Sequence, residues 1–513
     1  MKENKNDIVN NIATKLNNYN DDTATSVLEY FYNNTLTFNI NQWKELWCLL
    51  VQSENESMKF VFLWECLMHD MQNDKLEYYT QLLCQSEKLT WDQKYYLGWQ
   101  IDTLLFNYCN LGTDKITESL YKNYHAALHS FMSHLNNLTF IKDRNEELVF
   151  VTTQQFLNLT HGPTKTTLDR ALVLKRKLGK NVVIINTAEL MGTKSVNLIT
   201  SVYPNYYDEY LNIDMYEYCG EQFLFVQFDN NMPNIYNSQE FIEFVRKNRS
   251  YYIVNIGVES LLIDACSKIV PVVDITLGPS DISKTEATAL VIGRDIKPSD
   301  NKFLNMVGKS TDYIIKGRFT SSLKSQEHSY TREKFNIPEN CFVMTVVGGR
   351  LANEMDNKFI DMIDECLLQG AYLCIMGNMD NYEVICQKDD VFRNHSTYLG
   401  MQNDVLAILD LCDLYVNPKR KGGGTSVIEA MYKSIPAISI NYGDVALGAG
   451  GVFCVDTYEE MKQCIMKYMT DREFYDDMSM KAKARADYML DSDSAFVDII
   501  NEFCDRFVCN YAN

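Results

Sequence analysis

The spacing of apolar side chains along the chain changes near residue 147. Upstream, apolar residues recur at steps of three and four, as they do between Trp43 and Val51, and this spacing forms one face of an α-helix. All five tryptophans also fall within the first 100 residues, and few glycines or prolines interrupt this part. The pattern predicts a separate, all-helical N-terminal domain over residues 1–145.

Downstream, short apolar runs alternate with amphipathic stretches, which is the β-α-β rhythm of a parallel sheet. A helix is predicted over Thr166–Leu178. The runs predict buried strands at residues 148–151, 182–185, 223–228, 252–256 and 270–275. Residues 146–325 therefore read as one Rossmann-like domain.

A second β-α-β series begins near residue 341, after a polar stretch at 322–333 that we interpret as a linker. Its strands are predicted at residues 342–347, 372–376, 414–416 and 437–440. This series makes residues 326–485 a second Rossmann-like domain, and residues 486–513 a C-terminal helix that packs at the domain junction. The predicted fold class is α/β, with two Rossmann-like domains facing a cleft at the carboxyl ends of their strands and an N-terminal helical extension.

Composition narrows the classes of partner. The chain of 513 residues exceeds what one core supports, and its formal net charge of −20 argues against nucleic acid, whose binding needs a basic surface. The 15 cysteines form no C-x-x-C pair, which favours reduced thiols and a cytoplasmic location. We expect neither a signal peptide, because Met1–Asp7 has no apolar core, nor a transmembrane segment, because no run of about 18 apolar residues exists.

The strongest chemical signal is a glycine-rich turn between a strand and a helix. The strand at 414–416 runs into Gly422, Gly423 and Gly424, and the next helix follows at once. Glycine lets a ligand approach the backbone closely, and the amides of a helix N-terminus favour an anion. The turn therefore predicts a phosphate-binding loop, although it matches neither a P-loop nor a G-x-G-x-x-G motif.

Side chains at the start of that helix extend the prediction. Thr425 and Ser426 offer hydroxyl donors, and Glu429 follows one helical turn later on the same side. A carboxylate there can accept hydrogen bonds from paired hydroxyls such as those of a ribose. The alternative is a glycine-rich turn with Ser426 as the helix cap and no ligand.

With these motifs in place, residues 331–485 resemble the C-terminal domain of GT-B glycosyltransferases, and of family 4 in particular. That family carries a similar turn followed by Glu-Ala-Met and a small-residue–Pro step, here at 434–438. It also carries Gly-Arg-Leu after a strand and a lysine soon after. The resemblance implies that Arg350 and Lys358 hold the diphosphate of a nucleotide-sugar donor. The alternative for Arg350 is a cap residue at the surface, and the alternative for Lys358 is a solvated residue of a helix.

Weaker matches follow in the order of the family. Met376-Gly377-Asn378 resembles the strand–glycine turn that lines the cleft, and Tyr398–Met401 resembles the loop whose backbone reads the base. Gly377 and Met401 are thereby implied as donor-binding residues. The ordered set over about 150 residues is specific, whereas each motif alone is weak.

One departure from family 4 leaves the stereochemistry open. Many retaining members carry E-x7-E, and the position of the first Glu holds Lys421 here. The loop is also similar to those of protein O-GlcNAc transferases and bacterial adhesin N-glucosyltransferases, which invert and carry helical N-terminal additions. Lys421 is therefore a candidate for contacting the β-phosphate or the sugar, or else a residue of the rim.

The first Rossmann-like half offers candidates for the sugar and acceptor side. His161 and Gly162 follow the first strand, where GT-B enzymes have a glycine-containing loop, and Gly257 ends another strand. The alternative for His161 is a structural hydrogen bond. His125, His129 and His134 share one helical stretch, but no Glu or Cys stands in a suitable place, so we expect no metal site there.

The resemblance implies a glycosyltransferase whose donor is UDP-linked, with UDP-glucose or UDP-N-acetylglucosamine preferred, and whose acceptor is a protein or a glycan. Lys421, His161 and Glu429 are its catalytic candidates, and neither a metal nor a cofactor is implied. The alternatives are a non-catalytic GT-B subunit that recognises the acceptor for a sister enzyme, a sugar-nucleotide epimerase, and an interaction protein. The N-terminal helical domain is a candidate surface for homo- or hetero-oligomers.

Overall fold

A computed structural model describes residues 5–17, 91–107, 112–189, 205–229, 232–277, 282–318, 320 and 323–509, with isolated positions between 34 and 90. The helical face predicted at residues 43–51 falls almost wholly outside these residues. Within them, no helix combines the length and the apolar character needed to cross a membrane.

Three helices of the N-terminal part are described, and the third packs on the first sheet. Leu128 and Phe131 are fully buried against Phe150 and Ile253 of that sheet, and the hydroxyl of Tyr124 donates to Asp264 at 2.7 Å. Helix α3, which the sequence assigns to a separate N-terminal domain, therefore shares a hydrophobic core with the first sheet. These helices are α1 (Lys5–Asn17), α2 (Trp91–Asn107) and α3 (Asp114–Met132).

The described residues form an eight-stranded first sheet in the order β3-β4-β2-β1-β5-β6-β7-β8. It is parallel except for the antiparallel pair β3–β4. Its strands are β1 (Asn145–Thr153), β2 (Asn181–Asn186), β3 (Met215–Tyr218), β4 (Glu221–Gln227), β5 (Ser250–Gly257), β6 (Val272–Thr276), β7 (Ala289–Ile292) and β8 (Ile314–Lys316). Its helices are α4 (Gly162–Arg176), α5 (Ile235–Asn248), α6 (Leu261–Cys266) and α7 (Asp300–Met306).

The second sheet that the structure describes has six parallel strands in the order β11-β10-β9-β12-β13-β14. Its strands are β9 (Phe342–Gly348), β10 (Ala371–Gly377), β11 (Ser396–Tyr398), β12 (Leu414–Asn417), β13 (Ala437–Ile440) and β14 (Cys454–Val455). Its helices are α8 (Leu351–Glu354), α9 (Asn357–Leu367), α10 (Tyr382–Cys386), α11 (Asp390–Asn394), α12 (Val405–Leu409), α13 (Gly424–Tyr432), α14 (Gly443–Ala449), α15 (Tyr458–Thr470) and α16 (Arg472–Leu490). Strand β10 is buried at every position, because helices cover both faces of the sheet.

The chain returns to the first sheet at its end. Helix α16 packs on α13, and α17 (Ser492–Phe503) then packs Phe496 and Phe503 into the core of the first sheet. Asp491 separates the two helices and caps α17 by accepting from the amide of Ser494. The last two helices thus link the second sheet to the first.

All nine strands predicted from apolar runs occur, each within three residues of the predicted ends. Those that the pattern missed are β3, β7, β8, β11 and β14, which are two to four residues long. Runs this short carry too few alternations to separate a strand from a loop. The predicted linker is described from residue 323 onwards: residues 323–331 have no regular structure, and a short 3₁₀ helix (Arg332–Phe335) begins at its end.

Candidate functional site

A cleft of about 430 Å³ opens at the carboxyl ends of the second sheet. It lies at the carboxyl ends of β9 and β12, which are neighbours in the sheet. From β9 the chain continues to β10 on one side, and from β12 it continues to β13 on the other side, so the strand order reverses between them. Ligands of doubly wound sheets bind at this kind of crevice. Leu277, which follows β6 of the first sheet, also lines the cleft, so both domains contribute to it.

The glycine-rich turn forms one wall of the cleft. Gly422, Gly423 and Gly424 all line it, and α13 begins at Gly424. Gly423 caps the helix at φ +101°, a left-handed conformation that favours glycine, and within the described residues no side chain caps the helix. The first amides of α13 therefore remain available for an anion at its N-terminus.

The opposite wall depends on a close backbone approach. Gly377 ends β10 at φ +114°, and a Cβ atom built there would lie 1.9 Å from the carbonyl oxygen of Gly348. The hydroxyl of Tyr398 donates to the Gly377 carbonyl at 3.1 Å and holds the turn from behind. Glycine is required at 377 because any side chain would push the ends of β9 and β10 apart.

A buried network of two arginines and one glutamate forms the floor. Arg420 is 2% exposed, and its guanidinium donates to Glu354 Oε2 at 2.8 Å, to the carbonyl of Val347 at 2.6 Å and to Asn417 Oδ1 at 2.8 Å. The other oxygen of Glu354 accepts from Arg350 Nη2 at 3.1 Å. One carboxylate thus joins the two guanidinium groups, and Arg420 ties the ends of β9 and β12 together.

Arg350 is placed to contact a ligand. Its side chain is 36% exposed, and its Nη2 would lie 3.3 Å from a Cβ atom built on Gly422. The guanidinium therefore lies beside the glycine-rich turn, where it could add a bidentate contact to an anion held by the helix amides.

The hydroxyls at the start of α13 differ in what they contact. Ser426 Oγ donates to the carbonyl of Gly423 at 3.1 Å and lies 2.9 Å from the hydroxyl of Tyr415. Thr425 is exposed and lines the cleft. Thr425 is the better placed of the two for a ligand, because Ser426 already stabilises the turn.

Glu429 lies deeper in the cleft. Burial raises the pKa of its carboxyl to about 7, and Lys324 and Lys165 lower it in part. Since Lys165 belongs to α4 and Lys324 to the linker, cations from outside the second sheet act on this carboxyl.

This pKa predicts a pH-dependent stability. A folded pKa raised above 4.5 means that the protein loses stability as the pH rises towards about 7 and the carboxyl ionises. The stability of Glu429→Gln relative to the parent should rise by up to about 1.4 kcal/mol per pH unit between pH 4.5 and about 7, and this difference should stay constant at higher pH. Denaturant unfolding between pH 4 and 8.5 measures this gain, and the exposed Glu473→Gln is the matched control. A flat difference for Glu429→Gln would contradict it.

Nine of the residues implied as donor-binding line the cleft together: Arg350, Gly377, Met401, Gly422, Gly423, Gly424, Thr425, Ser426 and Glu429. Met401 is 75% exposed at the mouth. Two lysines lie elsewhere. Lys358 is exposed on the first turn of α9, and Lys421 contributes its carbonyl, which accepts from the amide of Asp444 at 2.7 Å. Neither lysine is among the residues that line the cleft.

The candidates on the acceptor side also lie outside the cleft lining. His161 caps α4, its Nδ1 lies 2.9 Å from Thr164 Oγ1, and burial lowers its pKa. Gly162 is exposed beside it. Gly257 leaves room for Gln154, whose Oε1 would lie 2.3 Å from a Cβ atom there. The structure thus gives His161 and Gly257 structural contacts.

Sequence reasoning missed several lining residues: Leu277, Glu354, Gln402, Val405, Arg420 and Asp444. The signal for Arg420 was present, since three successive cations precede the glycines. Sequence alone did not distinguish the buried arginine from its two neighbours.

A second cluster joins two of the histidines of α3 to a glutamate that the sequence did not place beside them. His125 and His129 on α3 both contact Glu286 Oε1 at 2.9 Å. Glu286 lies between β6 and β7 and is far away in sequence, so spacing along α3 could not reveal it. His134 is not part of this cluster.

Comparison with known proteins agrees with this geometry. Residues 330–485 match the family described as Glycosyl transferases group 1. No curated protein sequence matches the chain.

Solved structures show the fold over more of the chain. A glycosyltransferase from Rickettsia africae has a TM-score of 0.51 at 11% identity, covering 71% of this chain and 99% of its own. A mutant of the O-GlcNAc transferase from Thermobaculum terrenum has a TM-score of 0.50 at 12% identity, covering 100% of this chain and 99% of its own. HepE from Anabaena in complex with UDP has a TM-score of 0.50 at 12% identity, covering 70% and 100%.

The two parallel sheets, the cleft at the switch point of the second and the likeness to these structures confirm the predicted fold class. The chain therefore has the GT-B fold, and its residues 330–485 are similar to the family described as Glycosyl transferases group 1.

Proposed function

We propose that this protein transfers a sugar from a UDP-linked donor, UDP-glucose or UDP-N-acetylglucosamine, to a protein or glycan acceptor. The observation that carries the proposal is the cleft wall in which the uncapped N-terminus of α13 stands beside the guanidinium of Arg350. Two of the similar structures support the donor class: HepE was solved with UDP, and another is an O-GlcNAc transferase.

The chemistry needs a stabilised leaving group. When the bond between the anomeric carbon and the β-phosphate oxygen breaks, its electron pair goes to the diphosphate, and negative charge grows there. The helix amides and Arg350 are preorganised for this charge and make the largest electrostatic contribution to such a reaction. Transfer is proposed to be metal-independent, because these groups supply the positive potential that a metal ion supplies in other transferases.

The remaining lining groups are assigned by position. Glu429, one turn into α13, is proposed to accept hydrogen bonds from the ribose hydroxyls, and Met401, Val405 and Leu277 offer an apolar surface for the base. Lys421, Lys358 and His161 stay candidates for contacts that form when the domains close over a donor, since GT-B clefts exclude water by such closure.

The alternative function is a non-catalytic partner that recognises the acceptor for a sister transferase. Lys421 favours it, because a cation stands where many family 4 enzymes have the first Glu of E-x7-E. Location in the cytoplasm is proposed for either function. It agrees with the described cysteines, which are all free thiols. Oligomers through the N-terminal helices remain part of the proposal.

One experiment separates the two functions. The protein is titrated with UDP, UDP-glucose and UDP-N-acetylglucosamine, and melting temperature and release of UDP from each sugar are followed in the same samples. Stabilisation together with UDP release supports the transferase. Stabilisation without release, also in the presence of acceptor extracts, supports the partner subunit. No stabilisation at millimolar nucleotide contradicts both.

A further inference from the structure

The cluster on the first domain has the composition of a metal site. His125 Nδ1 and His129 Nε2 each lie 2.9 Å from the same oxygen of Glu286. All three candidate ligand atoms lie within 4.8 Å of one another. The histidines are four residues apart on α3, so their side chains leave the helix on one face.

The electrostatic setting keeps the carboxylate charged. Burial by itself raises the pKa of Glu286, but hydrogen bonds with His125 and Lys268 outweigh burial and lower the pKa to about 2. The Lys268 ammonium lies 3.1 Å from Glu286 Oε2, the oxygen that faces away from the histidines. A ligating carboxylate is commonly hydrogen-bonded on its other side in this way.

We propose that His125, His129 and Glu286 bind a zinc ion that fastens helix α3 to the segment between β6 and β7. Two imidazoles and a carboxylate are ligands that zinc prefers, at about 2.0–2.2 Å each. Ligand atoms at these distances around a tetrahedral ion stand a little over 3 Å apart. The two 2.9 Å contacts to Glu286 would therefore lengthen by a few tenths of an ångström, and the two histidine nitrogens, which lie within 4.8 Å of each other, would take up a similar separation.

Exposure supports an open fourth position. The side chains of His125 and Glu286 are 14% and 13% exposed, whereas that of His129 is 66% exposed. The ion would therefore be held from the protein side and reached from solvent at His129, with water as the fourth ligand. Lys268 would remain as the hydrogen-bond partner of the carboxylate.

The site would act on the joint between the N-terminal helices and the first sheet. Helix α3 also reaches this region through Tyr124, which donates to Asp264, and Tyr121, which donates to the carbonyl of Ile282 at 2.6 Å. A zinc ion adds a bond that exists only when metal is present. It would link the stability of this joint to zinc without touching the nucleotide cleft.

Binding is tested on the full chain after treatment with a chelator. One equivalent of zinc should bind with a dissociation constant at or below about 1 µM, measured by competition with a chromogenic chelator, and should raise the melting temperature. Cobalt substituted for zinc should give the intense visible bands of a tetrahedral site without the ultraviolet band of a cobalt–thiolate bond, which excludes the cysteines as ligands.

His129→Ala is the decisive variant, because its exposed side chain can be removed without opening the core. It should weaken zinc binding by at least about 100-fold, since even outer partners of ligands are worth 10–100-fold. His134→Ala is the matched control on the same segment and should bind like the parent. UDP binding should be equal in all three proteins, which keeps this test independent of the proposed function.

Two results would overturn the proposal. One is the absence of stoichiometric zinc binding by the parent, which would leave the cluster as an ion pair between histidines and a carboxylate. The other is equal zinc affinity in the parent and His129→Ala, which would place the metal elsewhere on the chain.

Discussion

Replacing Arg420 with methionine is expected to lower the free energy of unfolding by about 3–5 kcal/mol, as removal of one partner from a buried ion pair does. The guanidinium is 2% exposed and bonds Glu354, the Val347 carbonyl and Asn417. Methionine matches its length but leaves those acceptors buried with fewer donors. UDP affinity should fall as well, because Glu354 would no longer hold Arg350 in the same position.

Denaturant unfolding measures the change, and Arg472→Met is the matched control. Arg472 pairs with Asp476 on the surface and is 81% exposed, so its loss should cost less than about 0.5 kcal/mol. A double variant that also carries Glu354→Leu should recover part of the stability, since it removes the uncompensated carboxylate. An Arg420→Met protein as stable as the parent would refute the role of the network.

Arg350→Ala is expected to weaken UDP binding by roughly 10- to 150-fold with little loss of stability, as removal of one charge-assisted hydrogen-bonding group worth about 1.5–3 kcal/mol does. The side chain is 36% exposed beside the glycine-rich turn, so its deletion opens no cavity in the core. Arg350→Lys should retain part of the affinity, because an ammonium keeps the charge but loses the bidentate geometry.

Lys358→Ala is the paired control for this measurement. The sequence implied the same role for Lys358 as for Arg350, whereas the structure leaves it exposed on α9 and outside the cleft lining. UDP affinity within twofold of the parent is expected, measured by titration calorimetry. A loss equal to that of Arg350→Ala would show that the cleft closes far enough to bring α9 onto the nucleotide.

The parts of the fold that were predictable are those where local pattern and burial agree. A parallel strand covered on both faces must be apolar over its whole length, so β9, β10 and β12 stand out as continuous runs. The edge strands β3 and β14 show mixed or partial burial over two to four residues and give no such run. Pattern therefore located both sheets but missed their edges, and it also missed β7, a four-residue strand buried between β6 and β8.

The residues of the candidate site also differ in how far the sequence predicts them. The glycines at 377 and 423 stand out in the sequence because a positive φ and close contacts disfavour any side chain there. Charged residues give no such signal in the sequence. A lysine or an arginine beside a turn has the same sequence neighbours whether its side chain faces the ligand, the core or the solvent. Arg420 faces the core, and Lys421 and Lys358 do not line the cleft.

Sequence alone determined the two β-α-β series, the glycine-rich turn and the resemblance to a donor-binding domain, because each depends on neighbours within one or two elements. Only the tertiary structure decided that Glu354 joins Arg350 to Arg420, that Glu429 titrates near neutral pH, and that Glu286 meets His125 and His129. Each of these depends on residues brought together across the fold or on burial by distant elements. A side chain's charge and hydrogen bonds are set by that assembled surrounding and not by its neighbours along the chain.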